Sequence, residues 1–143
     1  MNSLRDIADF RSSRFSPLLP EDSQVNPGVY GAELAYWLCT ELARNGVVTS
    51  YPYAEDWGWT IEYATPDGSE FAVHCGNVGG SADHWLLSLR RHARKLFGRD
   101  LPPYDVAEPL VRGIESLLRS EVSITEMNWL YEATDPSPSE AKE

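Results

Sequence analysis

Two carboxylates, Glu55 and Asp56, stand directly before an aromatic-glycine-aromatic step in the segment Tyr51-Pro52-Tyr53-Ala54-Glu55-Asp56-Trp57-Gly58-Trp59. Adjacent carboxylates beside aromatic rings suit three tasks: holding a cation, receiving an Arg or Lys from a partner, or working as acid and base. The plainer reading makes Trp57 and Trp59 core residues, gives Gly58 a close backbone approach and lets Glu55-Asp56 turn the chain. As a binding surface, the segment offers Tyr51, Tyr53, Glu55, Asp56 and Trp57 as the partner contacts. As a catalytic one, it would pair Glu55 or Asp56 with His74.

Other chemistry-bearing patterns are weaker. His74-Cys75 and Asp83-His84 are metal-ligand types, but no Cys-x-x-Cys or His-Glu-x-x-His spacing accompanies them. Strand alternation would also send His74 and Cys75 to opposite sheet faces. The run Gly76-Asn77-Val78-Gly79-Gly80-Ser81 lacks the Lys-Ser/Thr ending of a phosphate loop and the dinucleotide glycine spacing, so a hairpin loop explains it better. Neither metal nor cofactor is expected, and no catalytic residue is assigned. Cys39 and Cys75 read as small buried side chains; their spacing leaves a disulfide open, although nothing else in the chain looks secreted.

Charge narrows the partner class. The 143 residues carry 22 acidic and 12 basic side chains, a net charge of −10. Such a surface repels the phosphates of nucleic acid and of anionic lipid, and it favours a protein partner with a basic face. The cations are clustered: Arg90, Arg91, Arg94, Lys95 and Arg99 form a block without an acid. That block can meet an anion or neutralise the chain's own carboxylates. No apolar run approaches the roughly 20 residues of a membrane span, and no basic-then-apolar leader opens the sequence, so a cytoplasmic protein is expected.

The elements that position these residues follow from periodicity. Residues 27–45 read as a helix, with Asn26 as cap, Pro27 in the first turn, and Tyr30, Leu34, Trp37, Leu38 and Leu42 as the buried stripe. Asn45-Gly46 ends it. Residues 47–53 read as a strand limited by Pro52. Residues 57–64 alternate, with Trp57, Trp59, Ile61 and Tyr63 on one face. Pro66-Asp67-Gly68 turns that strand into another over 70–75. Residues 84–90 favour a strand and 91–98 a helix, with one continuous helix as the alternative. A second clear helix covers 105–120, with Asp105 and Glu108 at capping-box spacing, although Pro109 requires a first-turn position or a later start. Residues 121–132 form a closing strand whose alternation slips between Ile124 and Met127, the mark of a bulge. Residues 1–25 look like an irregular arm pinned by Phe15, Leu18 and Leu19, and 133–143 like a disordered acidic tail. The fold class expected is α+β: a single domain over 1–132, with an antiparallel sheet of about four or five strands and two main helices on one face.

With Tyr30-Gly31, Glu55-Asp56-Trp57-Gly58-Trp59, Cys75-Gly76-Asn77 and Phe97-Gly98-Arg99 in view, the chain resembles a group of small bacterial proteins that carry no assigned activity. The resemblance spans about residues 10–130 and brings no catalytic residues with it. In size and acidity the chain is also similar to toxin-immunity proteins, which block a basic toxin with an acidic surface. That similarity implies a non-enzymatic binding protein. A small hydrolase or transferase, and an oligomeric accessory protein packing exposed aromatics against a twin, are the other two expectations.

Overall fold

The computed structural model describes residues 4–18, 20, 24, 26–92 and 101–132. It is an α+β fold: an antiparallel sheet of six strands with two helices. In chain order the elements are β1 (Leu4–Arg11), α1 (Ala32–Arg44), β2 (Tyr53–Glu55), β3 (Gly58–Ala64), β4 (Glu70–Asn77), β5 (His84–Arg91), α2 (Glu108–Ser120) and β6 (Thr125–Trp129). Across the sheet they run β2, β3, β4, β5, β1, β6. Among the described residues no helix is long and apolar enough to cross a membrane.

The sixth strand is β1, which corrects the irregular arm expected over 1–25. It lies inside the sheet, between β5 and β6. Its register against β5 shifts between Asp6 and Ala8, so the successive side chains Ile7 and Ala8 are both buried. A bulge of this kind hides a strand from a period-2 search. Phe15 does pin the segment that follows, whereas Leu18 is exposed. Leu19, most of the expected helix over 91–98, the cations Arg94, Lys95 and Arg99, and the tail 133–143 lie outside the described residues.

Helix α1 buries Leu34, Ala35, Leu38, Cys39 and Leu42, and α2 buries Leu110, Val111, Ile114 and Leu118. Both stripes meet one sheet face, formed by Ile61, Phe71, Val73, Cys75, Trp85, Leu87 and Leu89. Helix α1 begins later than the sequence pattern implies. Residues 26–29 turn instead (Val29 N–H donates to Asn26 O, 3.1 Å), and Gly31, at φ 142°, opens the helix. The side chain of Asn26 caps nothing there because it serves another element, described below. Helix α2 also starts late: Tyr104–Ala107 is a short 3-10 turn, and no side chain caps the helix that follows, so the Asp105/Glu108 capping box does not form. The two cysteines are buried and free.

Both sheet edges are blunted. The expected strand over 47–53 pairs only from Tyr53 onward, and Pro52 stops the pairing. Upstream, Ser50 N–H still donates to Glu62 O at 2.8 Å. At the other edge β6 carries the expected irregularity: Glu126 has a φ of 51°, opposite a register shift between Asp9 and Arg11.

Candidate functional site

The Glu55-Asp56-Trp57-Gly58-Trp59 segment is the turn joining β2 to β3, and its residues divide between two faces and a junction. The junction comes first because it fixes the rest. A Cβ on Gly58 would stand 2.7 Å from the Cys75 carbonyl oxygen, and one on Gly31 would stand 2.5 Å from the same atom. The start of α1 and the start of β3 therefore both press on one peptide of β4. Asn77 completes the junction: its Oδ1 accepts from Tyr30 N–H (3.0 Å), and its Nδ2 donates to Gly28 O and Ser81 O (2.8 Å each). Asn26 Nδ2 donates to Asp56 O at 2.7 Å, which ties the loop before α1 to the turn. Three of the four motifs behind the resemblance thus hold backbone against backbone.

One face of the turn looks onto the sheet surface opposite the helices. Trp57 does not share a face with Trp59 and Ile61, contrary to the alternation read from 57–64. The residue lies in the turn, outside β3, and folds back so that its ring stacks on His74 (centroids 3.9 Å, planes 30° apart). His74 is half-buried rather than freely solvated, and it pairs across the strands with Thr60 on one side and Ser88 on the other. The row extends to Tyr53 beyond Thr60 and to Asp6 beyond Ser88. Ser88 Oγ donates to Asp6 Oδ1 at 2.8 Å, and Tyr53 Oη donates to Glu62 Oε2 at 2.9 Å. Burial, together with the nearby charges of Arg90 and His92, pushes the His74 imidazole down to about 4. Burial first, then the Glu62 hydrogen bond and the Glu62 and Glu55 charges, push the Tyr53 phenol up to about 12.

A depressed imidazole makes stability depend on pH with a definite sign. The unfolded chain takes up the proton near 6.5, the folded chain only near 4. Folding stability therefore falls as pH drops from about 6.5 toward about 4 and is unaffected by this group at neutral pH. Because His74 is only half-buried, solvent screening reduces the loss to about 1 kcal/mol. Urea melts at pH 7 and pH 4.5 are expected to show that loss, with His74→Phe losing less; an equal loss in both proteins refutes it.

The other face of the turn is an apolar groove of about 710 Å³ between the outer side of α1 and the segment before β2. Phe15, Trp37 and Trp59 line its walls, while Tyr36 (60% exposed) and Tyr51 (80% exposed) stand open to solvent at it. Glu33 and Glu41 line the groove from α1 and Arg14 from the β1–α1 segment. Phe15 and Trp37 pack ring to ring at 5.1 Å, which fixes that wall.

The sequence-derived contact set is thus split. Tyr51 belongs to the groove; Tyr53, Glu55 and Trp57 belong to the opposite side of the β2 edge; Asp56 is exposed at the tip, its carbonyl committed to Asn26. Among the described residues no hydrogen bond or ion pair joins Glu55 or Asp56 to His74, and no cluster of three His, Cys, Asp or Glu side chains is placed to hold a metal. Sequence reasoning missed Phe15, Tyr36 and Trp37 as groove residues. Tyr36 carried the one available signal, an aromatic residue off the buried stripe of its helix. Comparison with protein-family models, with curated proteins and with solved structures finds no match, so a functional reading of this chain rests on its own geometry.

Proposed function

We propose that this chain is a non-enzymatic binding protein of the cytoplasm, of the toxin-immunity kind, that captures a basic protein at the β2 end of its sheet. The observation that carries the reading is the groove between α1 and the segment before β2, where exposed Tyr36 and Tyr51 flank aromatic walls and the two carboxylates Glu33 and Glu41 outweigh the lining cation Arg14. Aromatic anchors set in a recess dominate the energetics of protein interfaces, while complementary charge accelerates encounter and rejects wrong partners. A partner that inserts an apolar side chain into the groove and places Lys or Arg against Glu33 and Glu41 matches both features, with Asp56 at the turn tip and Glu55 across the edge adding attraction at longer range within a chain of net charge −10.

The test is affinity capture from the native cell, followed by binding kinetics on what is held. The wild-type chain is expected to retain a basic protein, and Tyr36→Ala with Tyr51→Ala to weaken that complex by about a hundredfold or more, mainly through faster dissociation. Glu55→Lys with Asp56→Lys is expected to slow association and weaken capture while leaving the thermal melt unchanged. Capture that survives both double variants, or a partner that is itself acidic, removes the proposal.

A further inference from the structure

The open groove beside α1 has a composition that protein capture alone does not require. Its volume of about 710 Å³ falls within the range of pockets that take small molecules. Two tryptophans, two tyrosines and a phenylalanine line it: Trp37, Trp59, Tyr36, Tyr51 and Phe15. One cation already meets this lining. The guanidinium carbon of Arg14 stands 5.9 Å from the Trp37 ring centroid and 6.0 Å from that of Phe15, within reach of the attraction between positive charge and an aromatic face. The charge of Arg14 is committed outside the groove, to Glu121 at 2.8 Å. The two lining carboxylates are held more loosely: Glu33 accepts from the Leu18 N–H at 3.1 Å, and Glu41 meets the exposed Arg44 at 3.4 Å. Negative charge therefore stands beside aromatic faces in a recess with room and access.

We infer that the groove binds a small soluble ligand with a quaternary ammonium head, of the choline class. Such a head has no N–H to satisfy and spreads its charge over methyl groups, so it rests on aromatic rings without forfeiting hydrogen bonds. A primary ammonium brings three donors and a tightly held water shell, for which an aromatic lining is a poor exchange. A neutral apolar ligand would leave the field of Glu33 and Glu41 unused. The net charge of −10 attracts a cation and repels an anionic bilayer, which favours a free ligand over a membrane headgroup. Such a ligand needs no partner protein, so a failed titration and a failed capture are separate results.

Choline is the probe, titrated into the intact chain by calorimetry and followed at the tryptophan indoles by two-dimensional NMR. Its control is the uncharged alcohol in which carbon replaces the quaternary nitrogen. Choline is expected to bind saturably, to shift the Trp37 and Trp59 indoles, and to bind about tenfold or more tightly than the control. Tyr36→Leu with Tyr51→Leu keeps apolar bulk but removes two exposed rings, and it is expected to weaken choline about tenfold with the thermal melt unchanged. Arg14→Met removes a like charge from the lining and is expected to tighten choline a few-fold, a gain that damaged packing would not produce. Several outcomes overturn the inference: no saturable binding in the millimolar range, equal binding of choline and its control, or choline binding that the paired leucines leave undiminished and Arg14→Met leaves no tighter. Retention on phosphatidylcholine vesicles without binding of free choline overturns it as well.

Discussion

Gly58→Ala is expected to destabilise the fold by roughly 2–5 kcal/mol, and Gly31→Ala by a similar amount. Both positions are doubly constrained. Gly58 has a φ of 156° and Gly31 a φ of 142°, conformations that side chains rarely adopt. The added methyl would also meet the Cys75 carbonyl at 2.7 Å from Gly58 and 2.5 Å from Gly31, and a carbonyl within a central strand has nowhere to retreat. Gly46 is the internal control. Its φ is 87° but nothing lies within 4 Å, so Gly46→Ala is expected to cost only the conformational part, about 1 kcal/mol. Chemical denaturation of the three variants separates strain from collision. Equal losses at Gly46 and Gly58 would remove the collision from the account.

The second large effect is expected at Trp85, the biggest fully buried side chain. Trp85→Ala empties the space between β5 and the segment after β1, and deletions of this size cost about 3–5 kcal/mol. The indole N–H also donates to Ser12 O at 2.9 Å, so truncation leaves a buried carbonyl unpaired. Trp85 meets Phe15 edge to face, with ring centroids 6.5 Å apart, and Phe15 in turn supports Trp37 in the groove wall. Stability and the packing of that groove wall are therefore expected to fall together in Trp85→Ala. Trp85→Phe keeps much of the volume and loses only the hydrogen bond, so thermal melts are expected to rank it between wild type and alanine. If Trp85→Ala folds as firmly as wild type, β5 is not the keystone of the core described here.

How much of this could be read from one sequence depends on the range of the physics involved. The Leu34, Leu38 and Leu42 part of the α1 stripe, the Pro66-Asp67-Gly68 hairpin and the slip near Met127 are local patterns, and the structure shows each of them, while Tyr30 falls before the helix and Trp37 is only partly buried. The hairpin turn closes as its residues dictate: Gly68 takes a φ of 89°, and its N–H donates to Thr65 O at 2.9 Å. Other local patterns misled, among them the Asn26 cap, the Asp105/Glu108 capping box and the strand over 47–53. In β1 the bulge turns Ile7 and Ala8 inward in succession, so a strand read as an irregular arm. At Trp57 alternation was carried one residue too far into a turn, where side chains no longer obey the pleat. The unusual segment at 55–59 was visible as unusual, but its reason lies in contacts with Asn26 and Cys75, and separation of that kind leaves no periodic trace. The groove needed the most distant information, since Phe15, Trp37 and Tyr51 come from three separate stretches of chain.

Pro52 beside the three-residue β2 and the left-handed Glu126 in β6 have a consequence for life in a crowded cell. A neighbouring copy that approaches either rim finds a missing donor or a kinked ladder where a ribbon of fibril would need to begin. Neither rim therefore presents a flat, regular ladder on which a second copy could seed a cross-β polymer.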